Sequence, residues 1–148
     1  MQRFLDILFS GAAIVVLSPI LLTTIVALRF TGEGEIFFRQ MRVGQDKSSF
    51  GLLKFATMMK NSENLGAGTV TLKDDFRVLP LGKVLRKTKL NELPQLFNIF
   101  MGHMSVIGPR PLHQKQFSFY SKSDQKIIAS VKPGLSGMGS IVFRDEEK

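Results

Sequence analysis

An amide and a carboxylate stand side by side at the start of a short apolar segment. Residues 91–102 read NELPQLFNIFMG, with apolar side chains at helical spacing and Gly102 as a stop signal. We expect Asn91 to cap this helix and Glu92 to lie in its first turn, where Pro94 is tolerated. The free N–H groups and the dipole of a helix start favour an anion. The segment therefore predicts an anion-binding position at Asn91 and Glu92.

Two arginines on either side of this segment suit a phosphate partner. Arg86 lies on the polar face of a short basic helix that is predicted to begin at Pro80. Arg110 stands between Pro109 and Pro111, whose fixed φ angles stiffen the chain around it. A cation in a stiff segment can hold a phosphate group. A solvated charged face and a surface turn are the simpler structural alternatives for these two arginines.

Short elements separated by turns are predicted for the rest of the chain. They are a β-hairpin with strands at 36–44 and 50–58, an extended segment at 104–111, and two helices at 114–121 and 123–131, the second capped by Ser123. The apolar stripe of the helix after Asn91 is expected to be core, and it comprises Leu93, Leu96, Phe97, Phe100 and Met101. Together these elements predict a small, mixed α/β fold that is mostly helical.

Residues 7–28 form an uncharged apolar run that Ser18 and Pro19 divide in the middle. A run of this length can cross a bilayer as one helix, but a central proline removes a helical hydrogen bond and kinks the helix. Each half spans roughly 17 Å at 1.5 Å per residue, about half of the hydrocarbon thickness. Both flanks are basic, as is typical of cytoplasmic flanks. We therefore predict a re-entrant membrane helix over residues 1–30, broken at Ser18-Pro19; a kinked single span and a cleaved signal peptide are the alternatives.

The composition narrows the classes of partner. The chain has 148 residues, a formal net charge of +8 and no cysteine, which excludes a disulfide scaffold and thiolate metal sites. Its two histidines, His103 and His113, lack metal-ligand spacing. The positive charge favours membrane lipid with anionic headgroups or a phosphorylated substrate. No recognised nucleic-acid motif is present, so nucleic acid is not an expected partner.

Four segments together resemble the signature of one protein family. They are KVLRKTKLNELPQLFNIFMGHMSVIGPRP at 83–111, FFRQMRVGQDKSSFGLLKFATM at 37–58, DDFRVLPLG at 74–82 and VKPGLSG at 131–137. The family is the bacterial sugar transferases, the monotopic polyprenyl-phosphate phosphoglycosyl transferases that start exopolysaccharide, capsule and glycoprotein glycan assembly. The likeness covers almost the whole chain, including the Ser-Pro break, and the ordered set of motifs is highly specific.

The resemblance implies a fold, a reaction and a location. It implies a re-entrant membrane helix, amphipathic helices at the membrane surface and a small mixed α/β catalytic domain, here residues 31–148. The implied reaction moves a phosphosugar from a UDP-sugar to a polyprenyl phosphate, usually undecaprenyl phosphate, releases UMP and requires Mg²⁺. Such an enzyme lies at the bacterial inner (cytoplasmic) membrane with its catalytic domain on the cytoplasmic face. A homodimer is one of the oligomeric states that the sequence leaves open.

The resemblance also assigns roles to particular residues. The family uses an Asp-Glu pair at the start of its LPQL helix, and the matching positions here are Asn91 and Glu92. They are therefore the implied catalytic residues and the implied protein ligands of Mg²⁺. The implied substrate-binding residues are Arg86, Arg110, Lys54 and Arg42.

Three positions depart from the family pattern: Asn91 replaces the nucleophilic Asp, Ala56 replaces an Arg, and His103 replaces an Asp. A carboxamide is a poor nucleophile, so four interpretations of Asn91 stay open. They are an engineered substitution, a catalytically inactive relative that binds substrate or acts as a scaffold, Glu92 as the nucleophile, and direct attack of the lipid phosphate on the nucleotide sugar. Because three positions differ, we favour a divergent natural subgroup. The charged run at the end of the chain is expected for a C-terminus cut before its natural end.

Overall fold

The computed structural model describes residues 1–64 and 75–137. It confirms a small α/β fold, in which helices and short strands alternate after a helical N-terminus. The elements in chain order are α1 Gln2–Val16, α2 Ser18–Phe30, β1 Phe37–Val43, β2 Ser49–Phe55, α3 Pro80–Lys87, α4 Gln95–Met101, β3 Ser105–Ile107, α5 Gln114–Ser118, α6 Lys122–Ala129 and β4 Gly134–Ser136. The final residues of the chain, which bear on the predicted C-terminal cut, lie outside the described residues.

The predicted break in the N-terminal apolar run is confirmed. Only Leu17 separates α1 from α2, and Pro19 falls in the first turn of α2, where its missing N–H removes no intrahelical bond. Among the described residues no single helix is long and apolar enough to cross a membrane, whereas the bent pair of α1 and α2 meets both criteria together. The re-entrant path through a membrane stays a prediction.

The predicted β-hairpin is confirmed as a two-stranded sheet of β1 and β2. Its turn is a 3-10 helix at Gln45–Lys47, in which Asp46 and Lys47 adopt φ angles of 54° and 60°. The Gly44 N–H donates to the Ser48 carbonyl at 2.6 Å and closes the turn. The left-handed conformation of two successive residues other than glycine costs energy. This hydrogen bond, together with the one from the Ser48 N–H to the Gln45 carbonyl at 3.0 Å, helps to offset that cost.

A second, very short sheet was not predicted. β3 pairs in parallel with β4, with Ser105 opposite Gly134 and Ile107 opposite Ser136. The two chains approach so closely that a Cβ atom on Gly134 would lie 2.1 Å from the Gly108 nitrogen. Three-residue strands are too short to show an alternating pattern, which is why the sequence predicted only an extended segment here.

Two predicted details of the helices are wrong. Ser121, rather than Ser123, caps α6, because its hydroxyl accepts a hydrogen bond from the Asp124 N–H at 3.1 Å. The apolar stripe of α4 is not all core, since Phe100 and Met101 are 46% and 54% exposed. The face of α4 that is buried instead carries Gln95, Leu96, Asn98 and Ile99.

The described residues form two compact units. The first unit comprises residues 1–15, 39–52 and 95–137, and the second unit comprises residues 16–38, 53–64 and 75–94. In the first unit, Val43, Phe117 and Ala129 form a buried cluster, against which Leu112 and Ile128 pack. The predicted boundary after residue 30, between a membrane segment and a catalytic domain, stays a prediction.

Charged side chains fix the start of α1 within the first unit. Arg3 donates to the carbonyls of Ile99 and Phe100, both at 2.6 Å, at the end of α4 where a helix favours a cation. Asp6 is 4% exposed and accepts from the Ser105 hydroxyl and the Val106 N–H, both at 2.9 Å. The carboxylate can be buried because these donors replace water. The start of the apolar run is thus attached to both α4 and β3.

Replacement of this buried carboxylate should destabilise the fold. Asp6→Ala leaves the Ser105 hydroxyl and the Val106 N–H without this acceptor, and each buried unpaired donor costs about 1–3 kcal/mol. We expect the free energy of unfolding, measured by urea titration in detergent micelles, to fall by about 2 kcal/mol or more. The control is Glu35→Ala, which removes an exposed ion pair with Lys60 and should change the free energy of unfolding little, because solvent screens such pairs. Equal losses in the two variants would contradict the structural role of Asp6.

Candidate active site

Asn91 and Glu92 lie in a 3-10 turn, Leu90–Glu92, between α3 and α4. Lys89 enters this turn with a φ of 59°, in the left-handed conformation. The prediction that Asn91 caps α4 is therefore wrong, because α4 begins only at Gln95. Both side chains of the pair are half-buried, and the turn presents them next to each other ahead of α4.

Glu92 forms an ion pair with Lys54, a predicted substrate-binding residue from a different segment of the chain. The Lys54 ammonium, on β2, lies 3.5 Å from a carboxylate oxygen of Glu92. The two side chains are 23% and 36% exposed, so water still reaches the pair and it contributes little to stability. Its chemical consequence is larger, because the lysine places a positive charge where a phosphate bound at Glu92 would develop negative charge.

The Asn91 side chain carries an unused acceptor. Its Oδ1 atom is buried and accepts no hydrogen bond from any residue in the described part of the chain. Buried polar atoms are nearly always paired, so this oxygen is available to accept a hydrogen bond or to bind a cation. Asn91 Oδ1 and the Glu92 carboxylate are both oxygen ligands, the type that Mg²⁺ prefers.

These two residues fit a magnesium ion that takes most of its ligands from elsewhere. The described residues contain no group of three or more histidine, cysteine or acidic side chains that could hold a metal ion. Mg²⁺ usually binds through one or two protein carboxylates and completes its shell with phosphate oxygens and water. The donor set at Asn91 and Glu92 suits that mode of binding and would hold the ion weakly without a phosphate ligand.

Arg86 belongs to the same unit and lies on α3, which packs against the Leu90–Glu92 turn. Its side chain is half-buried, unlike the exposed neighbours Lys83 and Lys87, which agree with a solvated charged face. The start of α3 is fixed from outside the helix, because the Leu79 N–H donates to the Thr57 carbonyl at 3.0 Å. The second unit therefore holds Lys54, Arg86, Asn91 and Glu92.

Arg42 and Arg110 belong to the first unit, and the positive charge of Arg110 acts on Arg42. Arg42 donates to the Gln40 side chain at 2.5 Å and to the Pro111 carbonyl at 3.3 Å. Its Nε atom is buried without a partner among the described residues. Burial, and secondarily the charge of Arg110, lower the pKa of Arg42, although an arginine stays protonated at neutral pH. Two neighbouring cations with an unused donor favour an anion.

The predicted extended segment that carries Arg110 is held on both sides. Val43 N–H donates to the Leu112 carbonyl at 2.9 Å, and Gly134 N–H donates to the Pro109 carbonyl at 2.8 Å. Arg110 itself is exposed. Each of the six predicted site residues therefore has a defined place, four in the second unit and two in the first.

Sequence reasoning missed the buried ion pair that supports this site. Arg77 is 1% exposed and donates Nε and Nη2 to the two carboxylate oxygens of Asp75, at 2.8 and 2.6 Å. Its Nη1 donates to the Ser62 carbonyl at 2.7 Å. The hydrogen bond with Asp75 raises the pKa of Arg77. An acidic residue two positions before an arginine, directly ahead of the apolar residues Val78 and Leu79, was the signal that could have found this pair.

A lysine-paired carboxylate beside an unpaired amide oxygen, on a turn next to a basic helix, is compatible with binding of a phosphate group. The comparison with protein families agrees. The bacterial sugar transferase family model matches residues 1–148, and the chain belongs to this family.

The chain is similar in sequence to three named relatives. The chain is 35% identical to the exopolysaccharide production protein ExoY of Sinorhizobium fredii, over 98% of this chain and 70% of that protein. It is 40% identical to the UDP-N-acetylgalactosamine-undecaprenyl-phosphate N-acetylgalactosaminephosphotransferase of Aeromonas hydrophila, over 95% of this chain and 34% of the relative. It is 39% identical to the UDP-glucose:undecaprenyl-phosphate glucose-1-phosphate transferase of Klebsiella pneumoniae, over 95% and 30%. The chain thus spans most of ExoY and about a third of the other two proteins.

A single methyl group should displace the helix that carries Arg86. A Cβ atom on Gly82, in α3, would lie 2.2 Å from the backbone carbonyl oxygen of Thr57. Gly82→Ala should therefore lower the free energy of unfolding by about 1–3 kcal/mol through overpacking. The matched control is Gly11→Ala in α1, where the new Cβ would meet only the Phe100 ring, at 3.4 Å, and alanine gains up to about 1 kcal/mol of helix propensity. Thermal melts that rank the two variants the other way would contradict this packing.

Proposed function

We propose that the protein transfers a phosphosugar from a UDP-sugar to undecaprenyl phosphate, giving undecaprenyl-diphosphate-sugar and UMP. This would be the first membrane step of bacterial polysaccharide or glycoconjugate synthesis. The names of the Aeromonas and Klebsiella relatives support the donor and acceptor classes, and the ExoY name supports exopolysaccharide as a product class. The structural observation that carries the proposal is Glu92, 3.5 Å from Lys54, on the turn that also holds Asn91.

Glu92 is our proposed nucleophile, because Asn91 has no charge and its amide is a poor nucleophile. In the first step a Glu92 carboxylate oxygen bonds to the sugar-linked phosphorus while the bond to the UMP oxygen breaks, which yields UMP and an acyl phosphate in which the phosphosugar is attached to Glu92. In the second step an oxygen of undecaprenyl phosphate bonds to the same phosphorus and the Glu92 carboxylate leaves. Direct attack by the lipid phosphate on the UDP-sugar gives the same products without the acyl phosphate.

Cations around the reacting phosphates would carry most of the catalysis, since phosphoryl transfer depends on charge neutralisation and in-line positioning. Lys54 lies beside Glu92 and would stabilise the negative charge that develops there. Arg86 on α3 would bind a donor phosphate. We assign Arg42 and Arg110 to phosphate binding as well, because Arg42 has a buried Nε atom with no partner among the described residues and Arg110 places a second cation near it. Bound Mg²⁺ would neutralise diphosphate oxygens as a Lewis acid, with Asn91 and Glu92 as its protein ligands.

The proposed site of action is the cytoplasmic face of the bacterial inner membrane. Support comes from α1 and α2, whose outer faces carry large apolar side chains in contact with solvent, including Phe9 at 59%, Val16 at 74% and Leu22 at 62% exposure. Such surfaces are stable in lipid. A re-entrant hairpin would return both basic flanks to the cytoplasmic headgroups and keep the catalytic residues close to the phosphate of the lipid acceptor.

A catalytically inactive relative is the second candidate function, and one observation favours it. The amide at position 91 removes the charge of the usual nucleophile while leaving an oxygen in place. Such a protein would bind a UDP-sugar or undecaprenyl phosphate, or serve as a scaffold for a partner transferase, without releasing UMP.

Release of UMP separates these possibilities. We expect the chain, in lipid nanodiscs with undecaprenyl phosphate and Mg²⁺, to release UMP from at least one UDP-sugar of a panel, and Glu92→Gln to reduce the rate at least 100-fold. The control variant is Glu35→Gln, which changes an exposed carboxylate of the same unit and should leave the rate unchanged. An active Glu92→Gln variant would contradict the proposed nucleophile and favour direct attack.

Asn91→Asp tests the alternative in the same assay. If only Asn91→Asp releases UMP, the fold and substrate sites are intact and the natural chain is an inactive relative. If the original chain and Asn91→Asp are both silent, the transferase proposal fails for this chain and the scaffold function gains support.

The re-entrant path has a separate test, which benefits from the absence of cysteine. We expect Gln2→Cys and Glu35→Cys, one on each flank of the apolar run, to be protected from a membrane-impermeant maleimide applied outside intact spheroplasts. Both should react after the membrane is permeabilised. Labelling of only one of the two from outside would show a spanning segment and contradict the hairpin.

A further inference from the structure

A cleft with charged side chains in its lining lies in the first unit, at the end of the β-hairpin. It has a volume of about 440 Å³ and opens to solvent. Its walls come from the hairpin turn, from the segment after α4 and from the segment before β4. The residues that line it include Arg39, Asp46, Ser48, Phe50, His103 and Lys132. Neither Arg42 nor Arg110 is among the lining residues, so this cleft is distinct from that arginine pair.

Three nitrogen-bearing side chains converge on this cleft without partners. Within the described residues, Arg39, His103 and Lys132 make no side-chain hydrogen bond or ion pair. The carboxylate of Asp46 also lines the cleft and is likewise unpaired there. Asp46 forms no ion pair with Arg39 or Lys132 among the described residues. The N–H groups of these two cations are therefore available to a ligand.

The local packing holds two of these side chains in place. Arg39 crosses β2 directly above Gly51, where a Cβ atom would lie 1.8 Å from the arginine Nε and 2.6 Å from its Cγ. The imidazole of His103 stacks on the Phe50 ring, with centroids 6.0 Å apart and an interplanar angle of 21°. The Arg39 side chain is thus ordered by its contact with Gly51, and the His103 ring by its contact with Phe50. Side chains that are already ordered lose less entropy when a ligand binds.

We propose that this cleft binds a phosphate-bearing ligand through Arg39, His103 and Lys132. Arginine and lysine are the usual protein partners of phosphate, and an imidazole N–H adds a third donor. The Ser49 hydroxyl, on the hairpin side of the cleft, can donate to a neighbouring oxygen. The volume exceeds what a single phosphate needs, so the ligand carries an organic part, either of a soluble nucleotide or of a lipid headgroup. The site goes beyond the proposed transferase chemistry, because it uses none of its residues.

Histidine resonances give a site-resolved test of this proposal. The chain contains two histidines, of which His103 lines the cleft and His113 does not. Titration of the full chain in neutral detergent micelles with inorganic pyrophosphate, and separately with UMP, should shift the His103 ring signals in a saturable manner and leave those of His113 in place. In a second arm, nanodiscs of phosphatidylcholine with added phosphatidylglycerol should shift His103 relative to pure phosphatidylcholine. A response in the first arm identifies a soluble phosphate ligand, and a response in the second alone identifies a lipid headgroup.

Charge variants decide whether the shift reports binding in the cleft. In the responding arm, Arg39→Gln/Lys132→Gln should weaken binding at least tenfold. The control Lys115→Gln/Lys122→Gln removes two exposed cations of the same unit that do not line the cleft, and it should change binding less than threefold. Asp46→Asn should tighten binding, since it removes the one carboxylate among the lining residues. Equal weakening in both double variants, or no His103 response in either arm, would overturn the proposal.

Discussion

The buried ion pair of Arg77 and Asp75 determines where the candidate active site lies within its unit. Arg77 satisfies both carboxylate oxygens of Asp75 and the Ser62 carbonyl, so a guanidinium can be buried without an unpaired donor at these atoms. The adjoining backbone is fixed by the bond from the Met59 N–H to the Arg77 carbonyl, at 2.9 Å. α3 starts three residues after Arg77, so the pair and the bond from the Leu79 N–H to the Thr57 carbonyl together hold the backbone that leads into the helix. Loss of either partner would leave the other charge buried without a counter-ion. The resulting loss of stability would affect the backbone that leads into α3.

Positive charge is concentrated at two places in the fold, one around Lys54 and one around Arg42. Lys54 has a carboxylate partner in Glu92, but Arg42 lies near Arg110, and burial of Arg42 lowers its pKa. A protein accepts such repulsion only where the rest of the structure holds the groups in place. In the first unit that support comes from backbone hydrogen bonds on both sides of the segment that carries Arg110. In the proposed function, a phosphate bound there would reduce the repulsion between the two guanidinium groups and could accept a hydrogen bond from the Arg42 Nε atom.

The elements that the sequence predicted well are those with a strong local signal. The Ser18-Pro19 break, the aromatic strands of the hairpin and the glycine after α4 each depend on chain chemistry within a few residues. The errors concern choices that tertiary contacts make. Ser123 and Ser121 are equally good caps by type, and only the backbone path places Ser121 three residues before its donor. Phe100 has the spacing of a core residue, yet its side chain is half exposed. The end of α4 is held instead through its backbone, because Arg3 donates to the carbonyls of Ile99 and Phe100.

The site shows the same division between chemistry and contact. Sequence motifs identified Asn91, Glu92 and Lys54 as candidates, but a pattern cannot state that Lys54 lies next to Glu92 or that the Asn91 oxygen is unpaired. Those two facts change the electrostatic argument. With aspartate at position 91, two carboxylates on one short turn would share a single lysine, and a metal ion would be needed to offset their repulsion. With asparagine there, Glu92 and Lys54 already balance, so Mg²⁺ would be held mainly by the phosphates of the ligand it accompanies. In the proposed site the amide would therefore make Mg²⁺ binding depend more strongly on the presence of substrate, whether or not the Glu92 carboxylate is the group that reacts.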